Sequence, residues 1–137
     1  MKAFRPYRLR STQAKYHNKK TAAGEQVFDS KKEAQRFREL SMMQNSGMIR
    51  NLETQKKYIL IPTQREPSTK GRLGKEIPGA VIEREVSYIA DFVYYDVESD
   101  QLVVEDVKGY RKGQAYAVFS IKRKLMLLLY GIRVREI

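Results

Sequence analysis

The sequence predicts one α/β domain, in which a mixed β-sheet is flanked by helices. Two neighbouring runs rich in Val, Ile and Tyr, residues 86–96 and 101–109, are typical of paired strands. Both faces of these runs are largely apolar, which indicates a sheet that is covered on each side. Two other segments, 30–45 and 115–130, show helical patterning. The 137 residues suffice for one core, and their order predicts the succession α-β-β-β-α-β.

The first helix has a clear start signal. Ser30 is followed three residues later by Glu33, which is the capping-box pattern, and the helix is expected to continue to about Asn45. The segment from Leu52 to Pro62 follows as an extended strand, because it is rich in Tyr, Ile and Leu and a proline ends it.

Residues 63–83 separate this strand from the hairpin. They carry five residues that interrupt regular structure, namely Pro67, Gly71, Gly74, Pro78 and Gly79. We expect a long, polar and flexible loop here, and loops of this length are more often functional than incidental.

The chain after this loop completes the predicted fold. A short turn at Ser99–Asp100 joins the two strands of the hairpin, and a basic turn follows at residues 109–113. A second helix is expected over Ala115–Tyr130, with Gly131 as its C-terminal stop. Residues 132–137 alternate apolar and charged side chains and are predicted to be the last strand.

Charge is distributed unevenly along the chain. The formal net charge is +11, and residues 1–24 and 107–135 contain Lys and Arg but no acidic residue. A basic surface favours polyanions, because each neutralised phosphate releases counterions. An anionic membrane surface or a merely soluble basic protein would have the same charge. Residues 1–26 lack hydrophobic periodicity and are predicted to be a basic N-terminal arm, which leaves 27–137 as the domain.

Cysteine content and hydropathy indicate where such a chain would reside. The sequence contains no cysteine, so disulfides and thiolate metal sites are excluded, and a reducing compartment fits. The longest apolar stretch, residues 125–132, is far too short to span a bilayer. We therefore expect a cytoplasmic protein with no membrane partner.

The hairpin also carries the residues that are best suited to metal binding or catalysis. Side chains alternate along a strand, so Asp106 and Lys108 project to the same side, next to Asp91 on the neighbouring strand. Two carboxylates from adjacent strands suit Mg²⁺, which takes few protein ligands and keeps waters and substrate oxygens. The alternative is an ordinary polar patch on a solvated sheet. Glu105 points the other way, although a bulge could reverse this.

Outside the hairpin, Glu33 and several basic residues have two interpretations each. The capping box alone explains Glu33, but its helical stripe also places it where it could reach the sheet. The cations after the hairpin, Arg111, Lys112, Lys122 and Lys124, are either solvated surface or a phosphate-binding set.

Five stretches in order resemble the PD-(D/E)xK nuclease superfamily, and more closely a family of small phage endonucleases. They are Phe28–Ala34, Gly47–Gln55, Tyr88–Tyr94, Val104–Gly109 and Lys122–Leu125, within a match from about Lys15 to Ile137. The sequence departs from the usual motif twice. Ala90 replaces the nominal proline, and the third acid is Asp106 rather than the more frequent Glu.

The resemblance implies a restriction-endonuclease-like core and a phosphodiesterase centre. Its catalytic set would be Glu33, Asp91, Asp106 and Lys108. Mg²⁺, for which Mn²⁺ would substitute, would bind Asp91 and Asp106, with Glu33 and the Val107 carbonyl as further ligands. The contacts to DNA would come from Arg5, Arg8, Arg10, Lys19, Lys20, Arg111, Lys112, Lys122 and Lys124.

Among proteins of this size in the superfamily, the chain is most similar to archaeal-type Holliday junction resolvases. That similarity implies a homodimer that cuts four-way DNA junctions during phage recombination. Two alternatives stay open, namely a nuclease of other specificity (nicking, flap-cutting or restriction-like) and a non-catalytic DNA-binding module of the same fold.

Overall fold

A computed structural model describes residues 21–23 and 26–137, which form a central β-sheet with two long helices. The helices are α1 (Lys31–Asn45) and α2 (Gln114–Tyr130). The ten strands of the described residues are β1 (Thr21–Ala23), β2 (Gln26–Phe28), β3 (Ile49–Ile61), β4 (Gln64–Arg65), β5 (Thr69–Lys70), β6 (Glu76–Ile77), β7 (Val81–Glu83), β8 (Val86–Asp96), β9 (Gln101–Asp106) and β10 (Arg135–Glu136).

The central sheet has the strand order β10-β9-β8-β3. Strand β8 runs antiparallel to both β3 and β9, whereas β10 runs parallel to β9, so the sheet is mixed as the sequence predicts. The predicted hairpin is therefore the centre of the sheet. Its tight turn is closed at Ser99, whose N–H donates to Asp96 Oδ1 at 2.9 Å.

Each face of this sheet is covered by one helix, which confirms the expectation drawn from the apolar strands. Phe92 and Val93 are consecutive, so their side chains point to opposite faces. Phe92 belongs to the core on the α1 side, and Val93 to the core on the α2 side. The largest buried side chains of the two cores are Leu40, Ile49 and Phe92 on one face and Met126, Val93 and Val104 on the other.

Helix α1 begins at its predicted cap and α2 ends at its predicted glycine, whereas α2 begins at Gln114, one residue before the predicted start. Ser30 is the N-cap of α1, and its Oγ accepts a hydrogen bond from the Glu33 N–H at 3.1 Å. Gly131 closes α2 in the left-handed region, with φ of 66°, where a side chain is disfavoured. None of the helices in the described residues is both long enough and apolar enough to cross a membrane.

Two segments that the sequence treats as irregular contain short paired strands. Between Ile61 and Val86, where a long loop is predicted, β4 pairs with β7 and β5 pairs with β6. We call residues 62–85 the ribbon. Near the predicted boundary between arm and domain at residue 26, β1 pairs with β2 and Phe28 packs into the core.

Strand lengths differ from the sequence predictions at both ends of the sheet. β3 starts at Ile49 rather than Leu52 and contains two residues with positive φ, Asn51 and Gln55. The last strand covers only Arg135–Glu136, because its parallel pairing is confined to the end of β9.

Candidate active site

The four residues that the sequence singles out line one cleft of about 450 Å³. Glu33 comes from the first turn of α1, Asp91 from β8, Asp106 from the end of β9, and Lys108 from just beyond it. Tyr88 and Phe119 form part of the apolar wall. Residues distant in sequence therefore converge on one concave surface, which is the usual form of a small-molecule or active site.

Asp91 lies where β8 and β9 stop pairing. The last register pair between these strands is Phe92 with Glu105, so Asp91 has moved beyond the ladder. Its Oδ2 accepts a hydrogen bond from the Val107 N–H at 2.7 Å, in place of a backbone carbonyl. The carboxylate thus fixes the divergence of the two strands, and the cleft opens at this point.

The surroundings of the Asp91 carboxyl disfavour its ionised form. Burial, together with the smaller effect of the negative charges of Asp106 and Glu33, raises the pKa of Asp91 to about 7, against the opposing effect of the Val107 N–H. Asp106 is also within hydrogen-bonding reach of Asp91. Two carboxyls so close share a proton or require a cation between them. The Asp91 carboxyl therefore keeps its proton to a higher pH than an exposed aspartate does.

Asp106 is buried, and each of its oxygens has a partner. Its Oδ1 lies 2.9 Å from Lys108 Nζ, and its Oδ2 accepts from the Tyr88 hydroxyl at 3.1 Å. Burial, followed by the negative charge of Asp106, raises the pKa of Tyr88, so the hydroxyl remains a donor. The prediction that Asp106 and Lys108 share one side is confirmed by this ion pair.

Lys108 is held in place from three directions. Its Nζ contacts Asp106 and lies 3.7 Å from the centroid of the Phe119 ring, a cation–π geometry. Its backbone carbonyl accepts a hydrogen bond from Lys32 Nζ at 3.0 Å, which joins it to the first turn of α1. Because these contacts already restrain Lys108, its side chain would lose little conformational freedom when its ammonium group contacts a ligand in the cleft.

Glu33 combines the two roles that the sequence left open. The Glu33 N–H donates to Ser30 Oγ and the Ser30 hydroxyl donates to Glu33 Oε1, both at 3.1 Å, so the residue takes part in the helix cap, while its side chain also lines the cleft. Burial raises the pKa of Glu33, with a smaller contribution from the nearby charge of Asp106. The helix start and the cleft wall are therefore the same structural feature.

Glu105 is excluded from the cleft. It is 1% exposed, and its carboxylate receives two hydrogen bonds from Arg36, at 2.7 and 2.8 Å, and one from the Tyr94 hydroxyl at 2.6 Å. These partners lie on the α1 side of the sheet, opposite Val104 and Asp106. The alternation along β9 is thus unbroken, and Glu105 is a structural residue.

Gln55 contacts Asp91, although it is not among the residues that the sequence predicts for the site. In the pairing between β3 and β8, Gln55 lies opposite Asp91, and its side-chain amide donates to Asp91 Oδ1 at 3.2 Å. Its backbone has φ of 52°, which is unfavourable for any residue with a Cβ. Only the stretch Gly47–Gln55 of the resemblance could have drawn attention to it, because the contact depends on the strand register.

The predicted DNA-binding residues are distributed differently. Lys122 lines the cleft, Lys112 and Lys124 are exposed, and Arg111 lies 3.6 Å from Glu136. Arg111 therefore has its charge partly balanced within the protein. The remaining five, Arg5, Arg8, Arg10, Lys19 and Lys20, lie outside the described residues.

The donor set fits a divalent cation that takes two carboxylates. Asp91 and Asp106 are adjacent. Asp91 tends to keep a proton, and Asp106 is paired with the Lys108 ammonium group, so the negative charge of each carboxylate is already balanced. Within residues 21–23 and 26–137, no group of three or more His, Cys, Asp or Glu side chains is close enough to form a fuller site. Such a pair suits Mg²⁺, which retains several waters.

Comparison with known proteins gives a family but no described activity. No match was found among curated proteins or among solved structures. A family profile with the description "Protein of unknown function (DUF1064)" matches residues 13–135, which is nearly the whole chain. The chain therefore belongs to the DUF1064 family.

Proposed function

We propose that this protein is a metal-dependent DNA endonuclease whose active site is the cleft around Asp91 and Asp106. The observation that supports this most strongly is the close approach of these two carboxylates beside the Lys108 ammonium group. The resemblance to PD-(D/E)xK nucleases rests on the same residues, and the α1 and β8–β9 arrangement is compatible with their restriction-endonuclease-like core. Family membership adds no information on activity.

In this proposal, the acids would hold the cation and position water. Asp91 and Asp106 would bind Mg²⁺ or Mn²⁺, the Val107 carbonyl would supply a further oxygen, and Glu33 would contribute through water. A bound divalent cation polarises a phosphate and lowers the pKa of a coordinated water. The Val107 N–H and the Gln55 amide each hold one oxygen of Asp91, so its carboxylate has a fixed orientation.

Lys108 supplies the positive charge that does not depend on the metal. The Lys108 ammonium group lines the cleft beside Asp106, where it would orient the attacking water or stabilise charge on the phosphate oxygens. Phe119 keeps the ammonium group at this position through the cation–π contact.

The proposed substrate is branched DNA, cut by a homodimer. Excess positive charge, the exposed cations Lys112 and Lys124, and Lys122 in the cleft wall support binding to the phosphate backbone. The similarity to archaeal-type resolvases supports a four-way junction, whose two symmetric cuts would match a dimer with a two-fold axis.

A panel of substrates tests this function. The protein would be incubated with Mg²⁺ and a fixed four-way junction, a flap, a plain duplex and a single strand of the same sequences. We expect paired, symmetric cuts in the junction and little cutting of the duplex. Equal cutting of the plain duplex would contradict the junction assignment and favour a nuclease of other specificity. No cutting of any substrate with Mg²⁺ or Mn²⁺ would favour a non-catalytic DNA-binding module.

A further inference from the structure

The ribbon, residues 62–85, is regular structure that does not cover the core. Strand β4 pairs with β7, and β5 pairs with β6, so its strands bond to each other rather than to the central sheet. Every residue in 61–70 and 72–78 is exposed, and so is every residue in 80–85. A segment that buries so little apolar surface contributes little to the stability of the domain.

Its backbone is nevertheless well defined. The Glu66 N–H donates to the Ala80 carbonyl at 2.8 Å, and the Gly71 N–H donates to the Lys75 carbonyl at 2.8 Å. At Gly79 the two strands approach so closely that a Cβ would overlap the carbonyl of Glu66. Arg65 adds a hydrogen bond to the Gly79 carbonyl at 3.0 Å. The ribbon is therefore ordered before any partner binds, which reduces the entropy lost on association.

The tip of the ribbon is cationic. Lys70, Arg72 and Lys75 lie within six residues that contain no acid, and in the described part of the chain none of the three forms an ion pair. By contrast, Glu85 at the base is paired with Lys57 of β3. At the apex, the side chain of Leu73 is 97% exposed. Glu76 lies opposite Lys70 in the β5–β6 pair, but its carboxylate accepts a hydrogen bond from Ser68 and forms no ion pair with the three cations.

From these observations we infer that the ribbon is a second DNA-contacting element, which seats its tip in the major groove of a duplex beside the cleft. This inference rests on the proposed function, which makes DNA the partner. The major groove of B-form DNA is about 12 Å wide and admits a two-stranded β-ribbon. Lys70, Arg72 and Lys75 contact phosphates, and Leu73 makes apolar contact with base edges. The deep, narrow major groove of duplex RNA would not accept it.

The connection to the cleft sets the reach of this element. The ribbon continues from β3 and β8, the strands that carry Gln55 and Asp91. Lys75 lies sixteen positions before Asp91, and at about 3.3 Å per residue the tip is at most about 50 Å from the cleft. That length corresponds to about 15 base pairs of duplex. The tip therefore contacts duplex that flanks the cleaved position.

The experiment compares the salt dependence of DNA binding for three full-length proteins. They are the wild type, a tip variant (Lys70→Gln, Arg72→Gln, Lys75→Gln), and a control that loses the same charge from exposed residues elsewhere (Lys31→Gln, Arg38→Gln, Arg133→Gln). Binding to a labelled duplex of about 30 base pairs would be measured by anisotropy in EDTA. We expect the tip variant to lower the slope of log K against log salt by about 2 to 3, and the control by less than 1.

The outcomes separate this inference from the proposed function. Equal losses in the tip variant and the control would overturn the inference. So would an equal loss of affinity for duplex RNA, or binding of the tip to vesicles of anionic lipid in preference to DNA. If the tip variant shows the expected slope and wild type fails to cut DNA with Mg²⁺, the inference stands and the nuclease proposal falls. A wild type that binds no duplex at low salt would overturn the inference, and the nuclease proposal would still be decided by cleavage of the junction.

Leu73→Ser provides a second test that leaves the charge unchanged. We expect it to weaken duplex binding several-fold with the same salt slope, since an apolar contact releases no counterions. An unchanged affinity would overturn the seating of the tip in the groove.

Discussion

The Gln55 side chain donates a hydrogen bond to Asp91 Oδ1 at 3.2 Å from a strand position whose φ is 52°. A left-handed conformation costs about 1 kcal/mol for a residue with a Cβ, and glycine would avoid that cost. Retaining Gln55 there therefore trades backbone stability for the orientation of one carboxylate.

Replacing Gln55 with glycine separates these two effects. We expect Gln55→Gly to raise the free energy of unfolding by up to about 1 kcal/mol and to weaken Mn²⁺ binding by about 10-fold or more, because outer hydrogen bonds orient metal-binding carboxylates. Calorimetric titration with Mn²⁺ and chemical denaturation measure the two quantities. The matched control is Asn51→Gly, which relieves a φ of 55° in the same strand and should leave Mn²⁺ affinity unchanged. Equal Mn²⁺ affinities for all three proteins would exclude a positioning role.

Ionised Asp91 should destabilise the metal-free protein. Burial and neighbouring acids raise its pKa from 3.8 to about 7, so the folded state binds a proton more tightly than the unfolded state does. This stabilising protonation is complete below pH 3.8 and is lost as the pH rises through about 7. Asp91→Asn removes the effect. We therefore expect the variant to exceed wild type in Tm by several degrees more at pH 8 than at pH 5, measured in EDTA.

An exposed acid provides the control for this pH dependence. Glu98→Gln alters an exposed acid in the turn between β8 and β9, and should change Tm equally at both pH values. The same pH-independent difference for Asp91→Asn would show that Asp91 ionises normally in the folded protein.

Breaking the ion pair between Arg36 and Glu105 should lower the free energy of unfolding and leave metal binding unchanged. Arg36→Ala leaves a fully buried carboxylate without its ion-pair partner, which should cost about 3–5 kcal/mol. Arg38→Ala, on the exposed side of the same helix, should cost less than about 0.5 kcal/mol. Urea denaturation measures both.

A double variant tests the assignment of Glu105 even if Arg36→Ala folds poorly. Arg36→Met with Glu105→Gln removes both charges and keeps the hydrogen bond to Tyr94, so most of the stability should return. It should bind Mn²⁺ as wild type does. A loss of Mn²⁺ binding in a folded double variant would assign Glu105 to the metal site instead.

Lys108→Gln should separate metal binding from catalysis. The ammonium group competes with a cation for Asp106 Oδ1, so its removal should leave Mn²⁺ affinity unchanged or tighter. Cleavage should fall by about 10²–10⁴-fold, the usual contribution of a positioned acid–base or charge-stabilising group. Lys124→Gln, an exposed cation on α2, should reduce the cleavage rate by less than about 3-fold at low salt. Similar rates for the two variants would remove Lys108 from the catalytic set.

Local signals predicted the parts of the fold that depend on nearby residues. The Ser30–Glu33 box gave the start of α1, Gly131 gave the end of α2, and strand alternation placed Asp106 and Lys108 together. Each of these features depends on residues within four positions of one another. The mixed sheet with a helix on each face followed from the apolar pattern of β8 and β9.

Features that depend on distant residues could not be predicted in this way. The contact of Gln55 with Asp91 requires the register between β3 and β8, and the Arg36–Glu105 pair requires the packing of α1 on the sheet. The ribbon was missed for a different reason. Its prolines and glycines interrupt any strand pattern, although Gly79 is what permits the strands to approach.

Metal-dependent cleavage tests most directly whether the cleft around Asp91 and Asp106 is an active site. A four-way junction would be incubated with wild type and with Asp91→Asn, each with Mg²⁺ and with EDTA, while DNA binding is measured in parallel. We expect cutting by wild type only with Mg²⁺, and loss of cutting in Asp91→Asn with DNA binding retained or tighter. Cleavage by Asp91→Asn at the wild-type rate with Mg²⁺ would contradict the assignment of this cleft as the active site.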